Sequence, residues 1–303
     1  MYIQIENFSK SYGEIKAVDQ INLSVNQGEM FGLLGPDGAG KTTTIRTLGT
    51  LLVPDTGSCR IKNLDVVNDY RAIRQIVGYM PQRFSLYPDL TVAENMRFFA
   101  DLFQVPHQDR ETRLQELLAF SKLGPFQRRR ASALSGGMKQ KLALSCTLIH
   151  TPELLFLDEP TTGVDPVSRR EFWRILKSLK DQGVTIFVTT PYMDEALKCD
   201  QVAFMHKGKI LTVGKPGELV KFYPYSLLEV WAEKIIEAVS VLQNFDNIKN
   251  IQIFGDKLHL AFPLNHKPET ELRQFLEKQG YHNIRIKLIP AGIEDIFIEL
   301  MKQ

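Results

Sequence analysis

A chain of 303 residues, 44% of them hydrophobic, is long enough for one large domain with an appendage or for two modest domains, either with a sizeable core. The formal charge of +2 lacks the basic excess of a dedicated nucleic-acid binder, and no nucleic-acid partner is expected. Cys59, Cys146 and Cys199 are widely spaced and form no CxxC pair, which excludes a disulfide framework and a structural zinc site. Neither a leader nor a run of about 20 apolar residues able to cross a bilayer is visible, so a role at a membrane would run through a partner.

Tyr2 to Asn7 alternates apolar and polar side chains, and Ile21 to Val25 does the same after a turn centred on Gly13, which predicts antiparallel strands. Met30 to Leu34 is a short apolar run of buried-strand type that feeds a glycine-rich turn and then a helix over Thr42 to Leu52. Thr91 to Ser121 carries Met96, Phe99, Leu102, Phe103, Leu114, Leu117 and Leu118 at helical spacing, a helical insertion. Leu154 to Leu157 and Val184 to Thr189 read as further buried strands, with a helix over Val167 to Lys180 between them. This alternation predicts a mainly parallel sheet bearing helices. Beyond Phe222-Tyr223-Pro224-Tyr225 the texture changes. The expected order is strand 226–232, helix 233–244, strands near 249–255 and 257–262, helix 267–280, strand 283–289 and helix 291–302, a ferredoxin-like βαββαβ unit with a closing helix.

Gly35-Pro36-Asp37-Gly38-Ala39-Gly40-Lys41-Thr42 fits G-x-x-x-x-G-K-[ST], after a buried strand and before a helix. The glycines let backbone N–H groups converge on phosphates, the helix N-terminus adds its positive end, Lys41 supplies a point charge and Thr42 a hydroxyl for Mg²⁺. Thr43 continues this phosphate-binding turn. Asp158 and Glu159 end an apolar strand, the place from which carboxylates project into the ligand crevice of an open α/β sheet. Asp158 is the candidate Mg²⁺ ligand and Glu159 the candidate general base for an attacking water. Leu134-Ser135-Gly136-Gly137-Met138 opens another helix, with Ser135 at a natural N-cap and two glycines permitting close approach of a bulky ligand.

In this order the motifs resemble those of the ABC ATPase family, over about the first 220 residues. The family signature LSGGQ is present with Met138 in place of the glutamine. The resemblance implies a P-loop NTPase core of α/β class, with an antiparallel β subdomain and an inserted helical subdomain, about 84–130, within an ATPase domain at 1–222. A small α+β accessory domain follows at 226–303. It also implies ATP and Mg²⁺ as ligands, and a dimer in which Ser135, Gly136 and Gly137 of one subunit cap ATP held by the other. By position, Tyr12 matches the residue that stacks on adenine and Gln82 the glutamine that reaches Mg²⁺ and links the core to the helical subdomain. Asp165 matches a loop that crosses the dimer interface. Glu159, Gln82 and Lys41 form the implied catalytic set, and Thr42, Gln82 and Asp158 the implied metal set.

Two departures stand out. Where the family usually carries a histidine contacting the γ-phosphate, this chain reads Thr190-Pro191-Tyr192. Proline has neither a side-chain donor nor a backbone N–H, and loss of a positioned proton-transfer group typically costs about 10² to 10⁴ in rate. This favours pairing with a different ATPase chain over a homodimer. Asp37 stands where Asn is common. Its carboxylate would oppose the phosphates by roughly 2 kcal/mol at about 8 Å and an effective dielectric of about 20, unless it turns sideways to accept backbone N–H bonds.

Thr91 to Met96 resembles the region that couples transporter ATPases to a separately encoded transmembrane permease, and Gly292 to Ile298 resembles the C-terminal end of drug- and polymer-exporting subfamilies. The expected protein is an export ATPase, cytoplasmic and peripheral to the membrane. The competing classes are a soluble ABC ATPase and a nucleotide-binding regulator with little turnover. Arg128-Arg129-Arg130 reads as a solvated loop.

Overall fold

The computed structural model describes residues 1–83, 86–264, 266 and 268–302. Phe84 and Ser85, at the expected start of the helical subdomain, Lys267, at the expected start of a helix, and Gln303 lie outside the described residues. The chain divides into two units, Met1–Pro216 and Gly217–Gln303.

In the first unit, β1 (Ile3–Tyr12) and β2 (Ile15–Val25) pair antiparallel, and β4 (Thr56–Ile61) and β5 (Leu64–Asp65) extend them into a sheet of order β2-β1-β4-β5. The alternation that predicted these strands is interrupted by register shifts along β1, so apolar residues such as Ile3, Ile5 and Phe8 still reach the core. The second sheet contains β3 (Met30–Leu34), β6 (Val77–Met80), β7 (Leu154–Asp158), β8 (Thr185–Thr190), β9 (Gln201–His206) and β10 (Lys209–Gly214), in the order β10-β9-β3-β8-β7-β6. All neighbouring pairs are parallel except β9 with β10. Every residue of β3, β7 and β8 is buried, as uninterrupted apolar runs covered on both faces should be. Phe187 stacks on Phe31 at 5.4 Å between centroids and meets Phe156 edge-on at 5.8 Å.

Helices α1 (Lys41–Leu48), α2 (Tyr70–Ile76) and α6 (Pro166–Asp181) accompany the sheets. The helix predicted to run to Leu52 stops at Leu48, because Gly49 ends it and Leu51 N turns back to Arg46 O at 2.9 Å. Among the described residues the insertion carries the α-helices α3 (Val92–Leu102) and α4 (His107–Phe120), and it is followed by α5 (Gly136–Leu148). Thr91 and Glu94 form a reciprocal capping box at the start of α3. Buried Asn95 holds the preceding loop, accepting from Tyr87 N and donating to Tyr87 O, Leu90 O and Thr91 O.

A short turn of helix, α7 (Pro216–Leu219), lies at the division of the chain. The second unit then runs β11 (Tyr225–Trp231), α8 (Ile235–Leu242), β12 (Asn250–Phe254), β13 (Lys257–Pro263), α9 (Glu269–Lys278), β14 (Arg285–Ile289) and α10 (Ile293–Leu300). Its sheet has the order β12-β13-β11-β14 with every pair antiparallel. One sheet face and α8 and α9 share a core that includes Leu228, Leu258, Leu260, Ala238, Leu272 and Leu276. Asp295 of α10 meets His259 Nδ1 at 2.9 Å, and His259 Nε2 lies 3.7 Å from Glu229.

Phe187→Ala removes the ring shared by Phe31 and Phe156 from a fully buried position. It is expected to destabilise the first unit by about 3–5 kcal/mol, read as a lower midpoint in urea unfolding.

Candidate nucleotide site

The turn from β3 to α1 requires its glycines for space as well as conformation. A Cβ on Gly35 would lie 2.2 Å from Met205 O, and one on Gly40, at φ 109°, 2.4 Å from Ala17 O. The backbone therefore threads between β9 and β2, leaving a cavity of about 660 Å³ whose lining includes Asp37, Gly38, Ala39, Gly40, Lys41 and Thr42. Thr43, Gln82 and Glu159 also reach it. Lys41 is buried, and its ammonium donates to Gly35 O at 2.8 Å and Pro36 O at 3.0 Å and lies 3.1 Å from Glu159 Oε1.

Asp158 and Glu159 arrive from β7, more than a hundred residues away in sequence. Thr42 Oγ1 donates to Asp158 Oδ1 at 3.1 Å and Thr189 Oγ1 donates to the same oxygen at 2.7 Å. Asp158 is fully buried, yet its Oδ2 has no partner among the described residues. Burial drives its carboxyl above the usual carboxylate range, opposed by the two threonine hydroxyls. A hard cation prefers oxygen ligands, so Thr42 and the free Asp158 oxygen fit Mg²⁺. Gln82, expected beside the metal, instead donates from Nε2 to Glu159 Oε2 at 2.9 Å.

Glu159 has φ 48°, a left-handed conformation that costs a non-glycine residue about 1–3 kcal/mol and that clusters at functional sites. Its N–H donates to Thr189 O and Oγ1 at 3.1 and 3.0 Å, and Thr162 Oγ1 donates to its Oε2 at 3.3 Å. Sequence motifs do not register this strain. Also missed were Thr189, which serves both acidic residues, and Ile15, Lys16, Ala17 and Lys207, which line the cavity. The Lys207-Gly208 pair between β9 and β10 is a turn signal that carries no motif.

Tyr12 stands at the end of β1, paired with Ile15 and 48% exposed, and is not part of the cavity lining. Asp37 is exposed and accepts no hydrogen bond from a described residue. The sideways arrangement considered for it is therefore not adopted, since the N–H groups of its turn are not aimed at its carboxylate. Pro36 is half-buried between Gly35 and Asp37, and its carbonyl is one of the Lys41 acceptors.

Ser135, Gly136, Gly137 and Asp165 form a second group outside this cavity lining. Ser135 caps α5, accepting from Met138 N at 3.4 Å, and Asp165 caps α6, accepting from Val167 N and Ser168 N at 3.0 and 2.9 Å. The two glycines differ. A Cβ on Gly137 would meet Ser168 Cβ and Oγ at 2.4 Å, whereas one on Gly136 would find only Gly163 O at 3.9 Å. Lys141 and Glu171 pair one turn further along the same two helices. Behind them, buried Glu195 accepts from Thr161 Oγ1 at 2.8 Å, Trp173 Nε1 at 2.8 Å and Thr190 Oγ1 at 2.6 Å, with Arg169 Nε at 3.3 Å. This knot ties the segments after β7 and β8 to α6. Pro191 follows it, half-buried, and Tyr192 N donates to Thr190 Oγ1 at 3.1 Å.

A family model described as ABC transporter matches residues 18–162. The chain is 35% identical over 301 residues to Nod factor export ATP-binding protein I of Ralstonia nicotianae, covering 98% of this chain and 93% of that one. It belongs to the ABC transporter ATP-binding family. It is also 47% identical over 291 residues to the probable multidrug ABC transporter ATP-binding protein YbhF of Escherichia coli, covering 94% of this chain but spanning about half, 49%, of that relative. A solved ATP-binding subunit of an ABC transporter aligns with TM-score 0.66 at 26% identity, covering 73% of this chain and 92% of that one. A dimeric ATP-binding cassette in a post-hydrolysis state, with ADP and Pi bound, aligns with TM-score 0.64 at 28% identity, covering 70% and 98%. The ABC ATPase fold expected from the sequence agrees with both. The cysteines are free and buried, and no helix among the described residues is long and apolar enough to cross a membrane.

Gly137→Ala is expected to destabilise the chain by about 1–3 kcal/mol through the clash with Ser168, while Gly136→Ala stays within about 0.5 kcal/mol of the parent. Chemical unfolding of the two nucleotide-free variants measures the difference.

Proposed function

We propose that this chain binds ATP and hydrolyses it to ADP and phosphate, closing onto a second ATPase subunit around the nucleotide and driving a separate transmembrane permease in export. The observation that carries this reading is the convergence of Lys41, Thr42 and Glu159 on one cavity, with Asp158 hydrogen-bonded to Thr42 behind that wall and its other oxygen buried and without a partner among the described residues. The relatives' names, one an export and one a multidrug transporter ATP-binding protein, support the transport setting. Its location on this reading is the cytoplasmic face of the membrane.

Thr42 and Asp158 would hold Mg²⁺, with Gln82 close by through Glu159. When bound, the cation supplies neutralising charge to the phosphate oxygens. Lys41 now divides its donors among two carbonyls and Glu159. A triphosphate competes for that ammonium, and once Lys41 turns to it, Glu159 is released to orient a water and take its proton. Gln82 and Thr162 hold the carboxylate meanwhile. Gln82 also lines a groove of about 290 Å³ with Pro88, Ser132, Lys139 and Gln140, which supports a route from Glu159 toward the coupling region read at Thr91 to Met96.

Ser135, Gly136 and Gly137 complete the site from the partner subunit, with Asp165 at the same interface. Gly136 suits that role because, among the described residues, only Gly163 O at 3.9 Å comes near the space of its missing side chain. Tyr12 stacks on adenine as the nucleotide extends beyond the cavity mouth. Pro191 favours a heterodimer with one weak and one strong site. It also favours a second reading, a nucleotide-binding regulator with little turnover.

Glu159→Gln is expected to lower phosphate release by about 10² to 10⁴ while ATP binding, measured by titration calorimetry, persists. Equal turnover in the two proteins would remove Glu159 from the base role. Pro191→His is expected to raise phosphate release of the purified chain by at least about tenfold. Brisk turnover of the parent with no gain in the variant would sink the asymmetric dimer, and tight binding without turnover in both would select the regulator.

A further inference from the structure

The wall of the nucleotide cavity formed by β2 and the β9–β10 turn carries Lys16 and Lys207, with Lys209 just beyond the lining, and both Lys16 and Lys209 are occupied. Lys16 Nζ lies 2.5 Å from Asp19 Oδ1, and Lys209 Nζ lies 3.8 Å from Asp19 Oδ2. Lys207 lines the cavity, is exposed, and its ammonium has neither a hydrogen bond nor an ion pair with any described residue.

The backbone that presents it is fixed and unfavourable for a lysine. His206 pairs with Lys209 across β9 and β10, so Lys207-Gly208 is a two-residue turn, with φ 47° and 78°. Such a turn favours Asn-Gly, and a side chain at its first position is left-handed at a cost to stability. The turn is fastened on two sides. Gly208 N donates to Ala39 O of the phosphate loop at 2.9 Å, and Asp19 N donates to Gly208 O at 2.8 Å. A Cβ on Gly208 would stand 3.0 Å from Ala17 O, so the contact is close. The chain has a second turn of this kind, Lys62-Asn63, with φ 52° and 66°, but there the lysine is paired with Glu153 at 2.9 Å. At Lys207 the same local strain serves no internal partner. It holds a cation at the cavity instead, on a backbone bonded directly to the phosphate loop. That loop carries the unpaired negative charge of Asp37, which lines the same cavity.

Resting on the ATP reading above, we infer that Lys207 is a nucleotide-binding residue whose ammonium contacts the phosphate chain and offsets the charge of Asp37. The anion selects this contact, since a point charge on a flexible stem gains little from a neutral base or sugar and much from a polyphosphate.

The test is titration calorimetry of the full-length chain with ATP and with ADP, at about 50 mM and 500 mM NaCl. It uses Lys207→Gly, which keeps the left-handed turn and removes the ammonium, Lys207→Arg, which restores charge, and Lys209→Ala as a control outside the cavity lining. Lys207→Gly is expected to weaken ATP about fivefold at low salt, with the loss shrinking at high salt as screening removes it. ADP should be weakened too, Lys207→Arg should stay within about twofold of the parent, and Lys209→Ala should match it. Unchanged ATP affinity in Lys207→Gly, or an equal loss at both salt concentrations, would overturn the inference, the second because it reports wall shape rather than charge. Failure of the parent chain to bind either nucleotide would overturn the ATP reading itself and this inference with it.

Discussion

The buried carboxylate of Asp158 joins the segments on which the candidate site is built. One of its oxygens collects hydroxyls from Thr42, at the head of α1, and Thr189, near the end of β8, while the residue itself closes β7. Three segments distant in sequence are thereby held together at the carboxyl ends of β3, β8 and β7. The other oxygen, buried and unpartnered, leaves a desolvation cost that the protein alone does not offset. That debt explains why burial pushes the Asp158 carboxyl upward and why the site is complementary to a cation. Stability and binding are here in opposition, as they commonly are where a charge is held ready for a ligand.

A second constraint is the block made by α5 and α6. Gly137 lets α5 approach Ser168 more closely than any side chain would allow, and the ion pair of Lys141 with Glu171 fastens the same helices further along. The segments containing Ser135 and Asp165 thus start from two helices in direct contact. Glu195 extends the block toward β8 through Thr190 and toward the segment after β7 through Thr161. Thr190, which follows Thr189, and Thr161, two residues after Glu159, are thereby both fastened to α6 through Glu195 and Trp173.

In the second unit, polarity is confined to one sheet face. Glu229, His259 and Asp295 lie in sequence across β11, β13 and α10, while the opposite face supplies the apolar core with α8 and α9. Asp295 also accepts from Gly292 N at 2.7 Å, so the carboxylate that starts α10 also anchors it to the sheet. This arrangement accounts for the acidic first turn of that helix as a structural device.

Much of this was legible because it is local. The β3-turn-α1 order, the Ser135 cap, the helical spacing of Met96 to Leu118 and the β–α–β–β–α–β order of the second unit each depend on residues within a few positions of one another. Sequence alone also placed Asp158 and Glu159 at a strand end. What the tertiary structure decided was convergence. Sheet order set β8 between β3 and β7, which brought Thr189 to Asp158 and to the N–H of the left-handed Glu159. The packing of α5 on α6 separated the duties of Gly136 and Gly137, which are identical as letters. The closeness of β2 and the β9–β10 turn to the phosphate loop made Lys16, Ala17 and Lys207 line the same cavity as the motif residues Asp37 to Thr43, from which they are distant in the chain. A one-dimensional pattern records the spacing along the backbone, but these contacts arise where strands and helices distant in the chain are driven together by burial of their apolar faces, and only the folded structure carries that distance.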